Sequence, residues 1–235
     1  MISIVTGTLN RVGMLSTLIA NTVIADERLE LVLVDGGSTD GTISYIKELN
    51  HPQIKLIEVG GRSSYPHFMN LGIQAATHEV ICQWNDDVIL CNEWSEVFLE
   101  LQSNHDFYLF NWKYGSYEDS KNPEWLKGRD HNDGWCLCNI AESGGEIVMN
   151  YGLYRKKIFR EIGLYNPEYE YYCADGDMSY RAHQFGYKVK DLRHIKVCSL
   201  PASKVASSHP KDHATYHHNM NLYQQKILPE CLQYL

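Results

Sequence analysis

The sequence predicts an α/β protein with a mostly parallel sheet and helices on both faces, and three observations carry this prediction. Four short apolar runs in the first 90 residues are each followed by a polar loop. After the first three loops, apolar residues recur at helical spacing, so that strands and helices alternate. The polar loops directly follow the strands, which places them at the edge where parallel sheets bind ligands.

Two strand–helix units open the chain. The first strand is the β-branched run 2–6, and the apolar positions within 14–19 have the spacing of a helix. The run 29–34 is apolar almost throughout, as in a strand that is covered on both faces. After the loop 35–42, helical spacing resumes at 43–49.

The next two strands are predicted at 54–59 and 79–84. The first of them leads through two glycines to a helix at 68–76, and the second ends at Asn85. These elements complete the pattern expected of a parallel sheet.

The second half of the chain is less regular. Residues 103–147 are rich in Trp, Tyr, Asn and Gly and have no clear period, so we interpret them as strands and loops. One helix is predicted at 151–163 and another at about 175–185, because a glycine stands at the C-terminal end of each. Residues 201–235 are expected to form a loosely packed tail with one further helix.

The composition limits the classes of ligand. A chain of 235 residues that is 44% hydrophobic can bury the core of one compact domain. The 21 Lys and Arg residues against 29 Asp and Glu residues give a net charge of −8, which argues against nucleic acid or an anionic membrane as a general partner. An anionic ligand therefore needs a local site or a metal ion.

The cysteines and the first residues indicate a cytoplasmic location. Seven cysteines, an odd number, lie in apolar or strand-like stretches, so reduced thiols are expected. Residues 1–6 predict a strand rather than a secretory leader, and no run approaches the roughly 18 to 20 apolar residues that cross a bilayer. Peripheral docking at the inner face of a membrane that holds the substrate stays open.

Six segments occur in the order and spacing of the family 2 glycosyltransferases, and the sequence resembles that family over about residues 2–190. They are IVTGTLNR (4–11), LVDGGSTDGT (33–42), NLG (70–72), NDD (85–87), LYRKKIFREIG (153–163) and ADGDMSYR (174–181).

The resemblance implies a fold and an activity. The fold is GT-A, with a Rossmann-like sheet in residues 1–200, a nucleotide-sugar-binding half at 1–100 and an acceptor-side half at 101–200, followed by the tail at 201–235. The activity is inverting transfer of a sugar from a nucleoside diphosphate sugar to an acceptor hydroxyl, on a glycan or lipid-linked glycan, with Mg²⁺ or Mn²⁺.

Asp35 ends the second predicted strand, where a carboxylate can accept hydrogen bonds from a base or ribose. Asp35 resembles the family's residue that recognises the nucleobase. The alternative is a turn residue, because Asp-Gly-Gly suits a tight turn. Many relatives carry a second acid where Gly36 stands, and the segment 38–42 is better explained as a helix N-cap than as a ligand.

Asn85-Asp86-Asp87 matches the position of the family's Asp-x-Asp motif. The resemblance implies that Asp87 binds the metal ion and that Asn85 faces the ribose, with Asp86 between them. Mg²⁺ is commonly held by one or two carboxylates together with substrate phosphates. The alternative is an acidic surface turn after a strand.

Asp175 resembles the acid that serves the family as the general base, although Ala174 replaces the usual Glu. A carboxylate can accept the acceptor's proton if it is within hydrogen-bond reach and partly desolvated. The alternative for Asp175 is a helix cap, and for Asp177 it is an ion pair with Arg181 at the i, i+4 spacing.

The remaining donor-side candidates lie in the first and third loops. Thr6, Asn10 and Arg11 belong to the polar cluster after the first strand, and Arg62 and Asn70 fall in the family's donor-side segment. The alternative for both arginines is an ordinary solvated surface position.

The histidines of the tail raise the question of a second metal ligand. The resemblance places a metal-binding His soon after the last core strand, where Ser199 stands here, and His194 and His209 are the candidates to replace it. His213 and His217 lie four residues apart, but a solvated polar helix explains them as well. Cys136 and Cys138 have no partner pair at zinc spacing and are interpreted as structural.

An aromatic segment is the candidate acceptor platform, since sugars bind to aromatic faces with polar groups beside them. Core packing is the alternative explanation for at least half of the aromatic residues in this segment. The aromatic residues of the segment are Trp112, Tyr114, Tyr117, Trp125 and Trp135.

Two other classes of protein stay in consideration. A Rossmann-type methyltransferase or dehydrogenase is disfavoured because no Gly-x-Gly-x-x-Gly opens the first helix. A catalytically silent sugar-nucleotide-binding protein is the stronger alternative, because Gly36, Asn85 and Ala174 stand where relatives carry acids.

Overall fold

The computed structural model describes residues 1–129, 131–135, 151–200 and 211–219. The strands are β1 (Ile2–Thr8), β2 (Leu29–Asp35), β3 (Ile54–Glu58), β4 (Val80–Gln83), β5 (Val88–Leu90), β6 (Phe107–Tyr114), β7 (Gly152–Arg155) and β8 (Val189–Ser199). The helices are α1 (Val12–Asn21), α2 (Thr42–Leu49), α3 (Tyr65–Ala75), α4 (Trp94–Glu100), α5 (Lys157–Ile162), α6 (Ala174–Gln184) and α7 (211–219).

These strands form one sheet in the order β3-β2-β1-β4-β7-β6-β8-β5. The first four are mutually parallel, which confirms the predicted α/β class. Strand β7 runs antiparallel to both β4 and β6, β8 is parallel to β6, and β5 is antiparallel to β8. The carboxyl ends of β1, β2 and β4 therefore lie at one edge of the sheet.

Side-chain alternation along the strands divides the core into two layers. Leu31 and Leu33 of β2 pack in the layer that contains α1, and Val32 packs in the layer that contains α3. All seven residues of β2 are buried, as expected for a strand covered on both faces. Helix α3 lies so close to β1 that a Cβ on Gly72 would sit 2.3 Å from Cγ1 of Val5.

The prediction of one helix over 151–163 is wrong in its first part. Residues 152–155 form β7, and only Lys157–Ile162 is helical. Leu153 and Tyr154 lie in opposite core layers, as neighbouring residues of a strand do. Pairing with β4 and β6 on either side overrides the local helical period, and a Cβ on Gly152 would sit 2.4 Å from the backbone oxygen of Tyr108.

Helix α6 and helix α7 agree with the predicted helix at 175–185 and with the further helix expected in the tail. Among the described residues, no helix combines the length and the apolar character that a membrane span needs.

Candidate active site

The loops after β1 and β2 are joined by side-chain hydrogen bonds. The backbone N–H of Asn10 donates to Oγ of Ser38 at 2.8 Å, and Oδ1 of Asn10 accepts from the N–H of Thr39 at 2.8 Å. Asn10 has a positive φ of 55°, which asparagine tolerates better than most residues. The two loops therefore form one rigid unit at the sheet edge.

Asp35 is fully buried and holds the turn that follows it. Its Oδ1 accepts from the N–H groups of Gly37 and Ser38, both at 2.8 Å, and its Oδ2 accepts from Oγ of Ser38 at 2.5 Å. These bonds match the turn interpretation of Asp35. A side chain at Gly36 would meet the ring of Phe68, with 3.1 Å between the added Cβ and Cζ, so an acid there requires this ring to shift by a few tenths of an ångström.

Asp86 is engaged by two residues of the first loop. Oγ1 of Thr8 donates to its Oδ2 at 2.7 Å, and Nε of Arg11 lies 3.8 Å from the same oxygen. Burial raises the pKa of Asp86 to about 6, although the Thr8 hydrogen bond opposes the rise. Thr8 was missed as a site residue, and its signal is its place as the last residue of β1. Thr6 is fully buried within β1, and its hydroxyl donates to the carbonyl of Gly7.

The neighbouring Asp87 differs from Asp86 in its contacts rather than in its exposure. Burial raises its pKa, and the charge of Arg11 opposes the rise. Its backbone oxygen accepts from the N–H of Leu200 at 2.8 Å. Within the described ranges, its carboxylate oxygens receive no hydrogen bond from another residue.

Asn85 contacts a tyrosine that the sequence did not single out. Its Nδ2 lies 3.4 Å from Oη of Tyr151, which in turn donates to Oγ of Ser199 at 3.4 Å. Burial raises the pKa of Tyr151, and the charge of Asp87 adds to the rise. Tyr151 thus lies beside both ends of the Asn-Asp-Asp segment.

Asp175 lies in the first turn of α6 in a partly buried position. Burial raises its pKa to about 6, against a 2.9 Å hydrogen bond from the N–H of Gly176. Its charge in turn raises the pKa values of three neighbouring tyrosines, after the larger effect of desolvation. They are Tyr65, Tyr154 and Tyr165.

The same tyrosines surround the side chain of Gln83, the last residue of β4. Its Oε1 accepts from Tyr154 at 2.6 Å and from Tyr165 at 3.0 Å, and its Nε2 donates to Tyr65 at 2.6 Å. A hydrogen-bonded cluster therefore connects the surroundings of Asp175 with the strand that carries the Asn-Asp-Asp segment. Asp87 thus follows β4, and Asp175 on α6 lies near tyrosines that bond to the last residue of that strand.

Asp177 forms the ion pair that its spacing predicts. It is fully buried, and its Oδ2 accepts from Nε of Arg181 at 2.8 Å. Its Oδ1 accepts from Oη of Tyr169 at 3.1 Å. Arg181 also donates to the carbonyls of Ile162 and Leu164, so this pair fixes α6 to the chain that follows α5.

Arg62 and Asn70 both bond to the second half of the chain. Nε of Arg62 donates to Oη of Tyr171 at 2.8 Å. Asn70 exchanges two hydrogen bonds of 2.9 Å with the backbone of Tyr165, which makes it a structural residue.

The aromatic segment divides into buried and exposed members. Trp135 is fully buried and lies against the ammonium groups of Lys113 and Lys196, whereas Tyr114 and Tyr117 are 67% and 45% exposed. Trp112 packs edge-on against both Tyr114 and Tyr151, with 5.2 and 5.7 Å between ring centroids. Core packing therefore explains Trp135, and the exposed tyrosines are free to meet a ligand.

The side chains at the site that can ligate a metal ion suit a hard cation only if a substrate supplies further ligands. No group of three or more His, Cys, Asp or Glu side chains suited to a metal occurs in the part of the chain that the structure describes. Mg²⁺ is commonly held by one or two carboxylates when phosphate oxygens complete its shell, and Asp87 next to Asp86 offers such ligands. His209, Cys136 and Cys138 lie outside the described residues, and His217 is exposed on α7.

The parallel sheet, with its acids at the carboxyl edge, is the fold of the GT-A glycosyltransferases. A family model described as glycosyl transferase family 2 matches residues 3–163. This match covers more than half of the sequence, and the chain belongs to glycosyl transferase family 2.

Solved structures agree on the fold. The mannosyltransferase PcManGT from Pyrobaculum calidifontis, in complex with GDP-Man and Mn²⁺, gives a TM-score of 0.61 at 15% identity, over 99% of this chain and 73% of that chain. TarS from S. aureus, in complex with UDP-GlcNAc, gives 0.67 at 15% identity, over 98% and 71%. No curated protein matches the sequence.

Proposed function

We propose that the protein transfers a sugar from a nucleoside diphosphate sugar to an acceptor hydroxyl, on a glycan or a lipid-linked glycan, with inversion at the anomeric carbon. The observation that carries the proposal is that Asp87 follows β4, while Asp175 lies beside the tyrosine cluster that bonds to Gln83 at the end of the same strand. Burial raises the pKa of both carboxyls. The carboxylate of Asp87 accepts no hydrogen bond from another described residue and is left for a cation, and the raised pKa of Asp175 suits a proton-accepting base.

The donor half of the site is assigned to the joined loops at the edge of β1, β2 and β4. The neighbouring structures hold GDP-Man and UDP-GlcNAc, which supports a sugar nucleotide as the donor. The donor-binding set is Asn10, Arg11, Asp35, Arg62, Asn85 and Asp86, with Thr6 supporting β1 from within. Because Asp35 already holds its own turn, we assign it the shaping of the base pocket and only its remaining lone pair to the nucleobase.

A divalent cation is part of the proposal. The PcManGT complex contains Mn²⁺, which supports Mg²⁺ or Mn²⁺ here. A bound cation stabilises the charge on the departing diphosphate, and Asp87 is the residue that would hold it. Arg11, whose guanidinium lies close to Asp86, adds positive charge on the same side.

Asp175 is assigned the role of general base. The acceptor oxygen forms a bond to the anomeric carbon while its proton passes to the carboxylate of Asp175. The bond from the anomeric carbon to the diphosphate oxygen breaks, and its electron pair leaves with the nucleoside diphosphate. Attack from the face opposite the nucleotide inverts the anomeric centre, so a single carboxylate suffices.

The exposed tyrosines of the aromatic segment are assigned to the acceptor. Tyr114 packs against Trp112, and Trp112 packs against Tyr151, whose hydroxyl contacts Asn85. The division into a donor half at 1–100 and an acceptor half at 101–200 follows from this assignment. A cytoplasmic location belongs to the same proposal, supported by the free thiols of Cys82, Cys91, Cys173 and Cys198.

A sugar-nucleotide-binding protein without catalysis is the second candidate. It is favoured by the fully buried Ala174, which cannot be exchanged for an acid without repacking, and by the tight approach of the Phe68 ring to Gly36. Turnover separates the two candidates.

The experiment is a screen of nucleotide sugars with and without Mn²⁺. The melting temperature identifies the donor, and proton NMR of the reaction mixture reports both turnover and the anomeric configuration of the product. We expect Mn²⁺-dependent stabilisation by one class of donor and an inverted product. A retained configuration would contradict the single displacement, and stabilisation without turnover would favour the silent binder.

A further inference from the structure

Helix α7 is fixed to the loop that precedes α6 by a buried carboxylate. Asp212 is fully buried, and its Oδ1 accepts from the N–H of Glu170 at 2.8 Å. Its Oδ2 accepts from the N–H groups of Tyr171 and Tyr172 at 2.9 and 3.0 Å. One side chain thus binds three successive backbone donors, which is enough to fix the path of that loop.

The loop leads directly into the turn that carries Asp175. Cys173 follows with a positive φ of 65°, and α6 begins at the next residue. A non-glycine residue keeps such a backbone only where its surroundings hold it. The three hydrogen bonds of Asp212 end one residue before this position.

The other contacts of the loop reach the donor half. The N–H of Tyr65 donates to the carbonyl of Glu170 at 2.7 Å, and Arg62 donates to Oη of Tyr171. The loop therefore lies between α3 and α7, and Asp212 holds it from the side of α7. The ring of His213 lies parallel to that of Tyr172, with 6.3 Å between their centroids.

We infer that Asp212 is a positioning residue, which fixes the loop 170–173 and through it the place of Asp175 in the site. The inference rests on the proposed function, because it assigns Asp212 a role through the base. An exposed pair on the same helix, Lys211 with Glu170 at 3.0 Å, touches the loop without holding its backbone. It supplies a matched control.

The test compares Asp212→Ala, Asp212→Asn and Lys211→Ala in the full chain. The first readout is the titration of the Asp175 carboxyl by ¹³C NMR. In the wild type it is expected at about pH 6. In Asp212→Ala it is expected to move toward the ordinary aspartate value, because a released loop admits water. Asp212→Asn keeps one accepting oxygen and should lie between the two, and Lys211→Ala should match the wild type.

Burial raises the pKa of Cys173, and the negative charges of Asp175 and Asp212 add to the rise. Both Asp212 variants remove the second of these charges. Because Asp212→Asn removes this charge and keeps one accepting oxygen, the difference between Asp212→Ala and Asp212→Asn reports movement of the base. The other titratable groups that face Asp175 stay the same in all variants, and they lie on α3, β7, the chain after α5, the loop before α6 and α7. They are Tyr65, Tyr154, Tyr165, Cys173 and Tyr216.

The second readout is steady-state kinetics with UDP-GlcNAc and GDP-mannose in Mn²⁺. Since a displacement of about 1 Å can cost about 10²-fold in rate, Asp212→Ala should lower kcat by about 10- to 10²-fold and leave the donor KM within about twofold. An unchanged titration of Asp175 in a folded Asp212 variant would overturn the inference, even if the melting temperature falls. If Asp212→Ala does not fold, Asp212→Asn decides. A wild type without turnover would count against the proposed function, and the NMR titration would still decide the role of Asp212.

Discussion

Asp86 and Asp87 are neighbours in sequence but have different surroundings. Asp86 accepts a hydrogen bond from Thr8, whereas the carboxylate of Asp87 accepts none from another residue in the described ranges. A carboxylate that already holds a loop is a poor place for a cation, because binding would break the loop contact. The two residues therefore differ in what their replacement should do.

Asp87→Asn is expected to remove the Mn²⁺ dependence of donor binding and to leave the fold intact. The amide cannot supply the charge that a hard cation requires. Little stability should be lost, because the Asp87 carboxylate accepts no hydrogen bond from another residue in the part of the chain that the structure describes. Titration calorimetry with UDP or GDP, with and without Mn²⁺, measures the effect. Asp86→Asn is the control, since its amide oxygen can still accept from Thr8. Mn²⁺-dependent affinity that survives in Asp87→Asn would contradict the assignment.

Asp175→Asn is expected to lower kcat by about 10² to 10⁴-fold, the usual contribution of general-base catalysis, with donor affinity unchanged. The matched variant is Asp177→Asn, which weakens a buried ion pair with Arg181. It should lower the free energy of unfolding by about 3 kcal/mol and change kcat less. Rate assays and urea unfolding of both variants test the assignment, and the reverse outcome would make Asp177 the base.

The pH dependence of kcat/KM should have an acidic limb near pH 6. Burial raises the pKa of Asp175 to about 6, and the protonated acid cannot accept the proton of the acceptor. Activity is therefore expected to be full above about pH 7 and to fall about tenfold per pH unit below the pKa. Because the pKa of Asp86 is also about 6, the profile is measured in Asp86→Asn as well. If the limb disappears in that variant, the titrating group is Asp86.

At the scale of elements, one glutamate joins three strands at the end of the sheet away from the site. Glu30 of β2 accepts from Ser3 of β1, from Lys55 of β3 and from Thr77 before β4. Burial alone would raise its pKa, but the hydrogen bonds from these three residues outweigh burial and lower the pKa to about 2.

Low pH should lower the free energy of unfolding by protonating Glu30. Because the folded pKa lies below the unfolded value, Glu30 stabilises the fold above the unfolded pKa, and the stabilisation is lost as the pH falls toward about 2. At about 1.4 kcal/mol per pKa unit, its share should fall by about 2 kcal/mol between pH 5 and pH 3. Urea unfolding of wild type and Glu30→Gln at both pH values isolates this share. An equal pH dependence in the two proteins would contradict it.

The aromatic segment around β6 supplies a prediction about the acceptor. Tyr114→Ala should raise the acceptor KM by about 3- to 10-fold, which corresponds to about 0.6 to 1.4 kcal/mol for one aromatic contact, and should spare donor affinity. Trp135→Ala removes a buried ring and should cost about 3 to 5 kcal/mol of stability. Kinetics and unfolding measurements distinguish the two. If Tyr114→Ala changes only stability, its ring serves packing.

Across the whole molecule, the half of the fold with a regular pattern could be predicted. The strand at 29–34 can be predicted because a strand covered on both faces is apolar throughout. The strand at 54–59 can be predicted because a short β-rich run is followed by two glycines and a helix. Strand β7 could not be found, because its pairing partners β4 and β6 lie far away in the sequence and the local pattern of 151–163 is helical. The order of β7, β6, β8 and β5 follows from such distant pairings.

The candidate site divides in the same way. Residues that directly follow strands, such as Asp35 and Asp87, stand out in the sequence because the strand end marks them. Tyr151 and Asp212 do not stand out, because neither belongs to a motif and each reaches the site from a distant segment. Local pattern finds the loops of a site, and only the folded chain shows what holds them.

The two sides of the site also differ in when they can form. The contacts of Thr8 with Asp86 and of Asn10 with Ser38 need no residue beyond the first 87. The loop before α6, in contrast, can form its hydrogen bonds to Asp212 only after residue 212 has been synthesised. At a synthesis rate of about 5 to 20 residues per second, roughly 6 to 25 seconds separate Asp87 from Asp212 on the ribosome. During that interval a nascent chain can assemble its first loops, while the backbone N–H groups of residues 170–172 lack the carboxylate that accepts from them. We therefore expect ribosome-bound chains that stop short of Asp212 to transfer sugar at least about tenfold more slowly than the full chain.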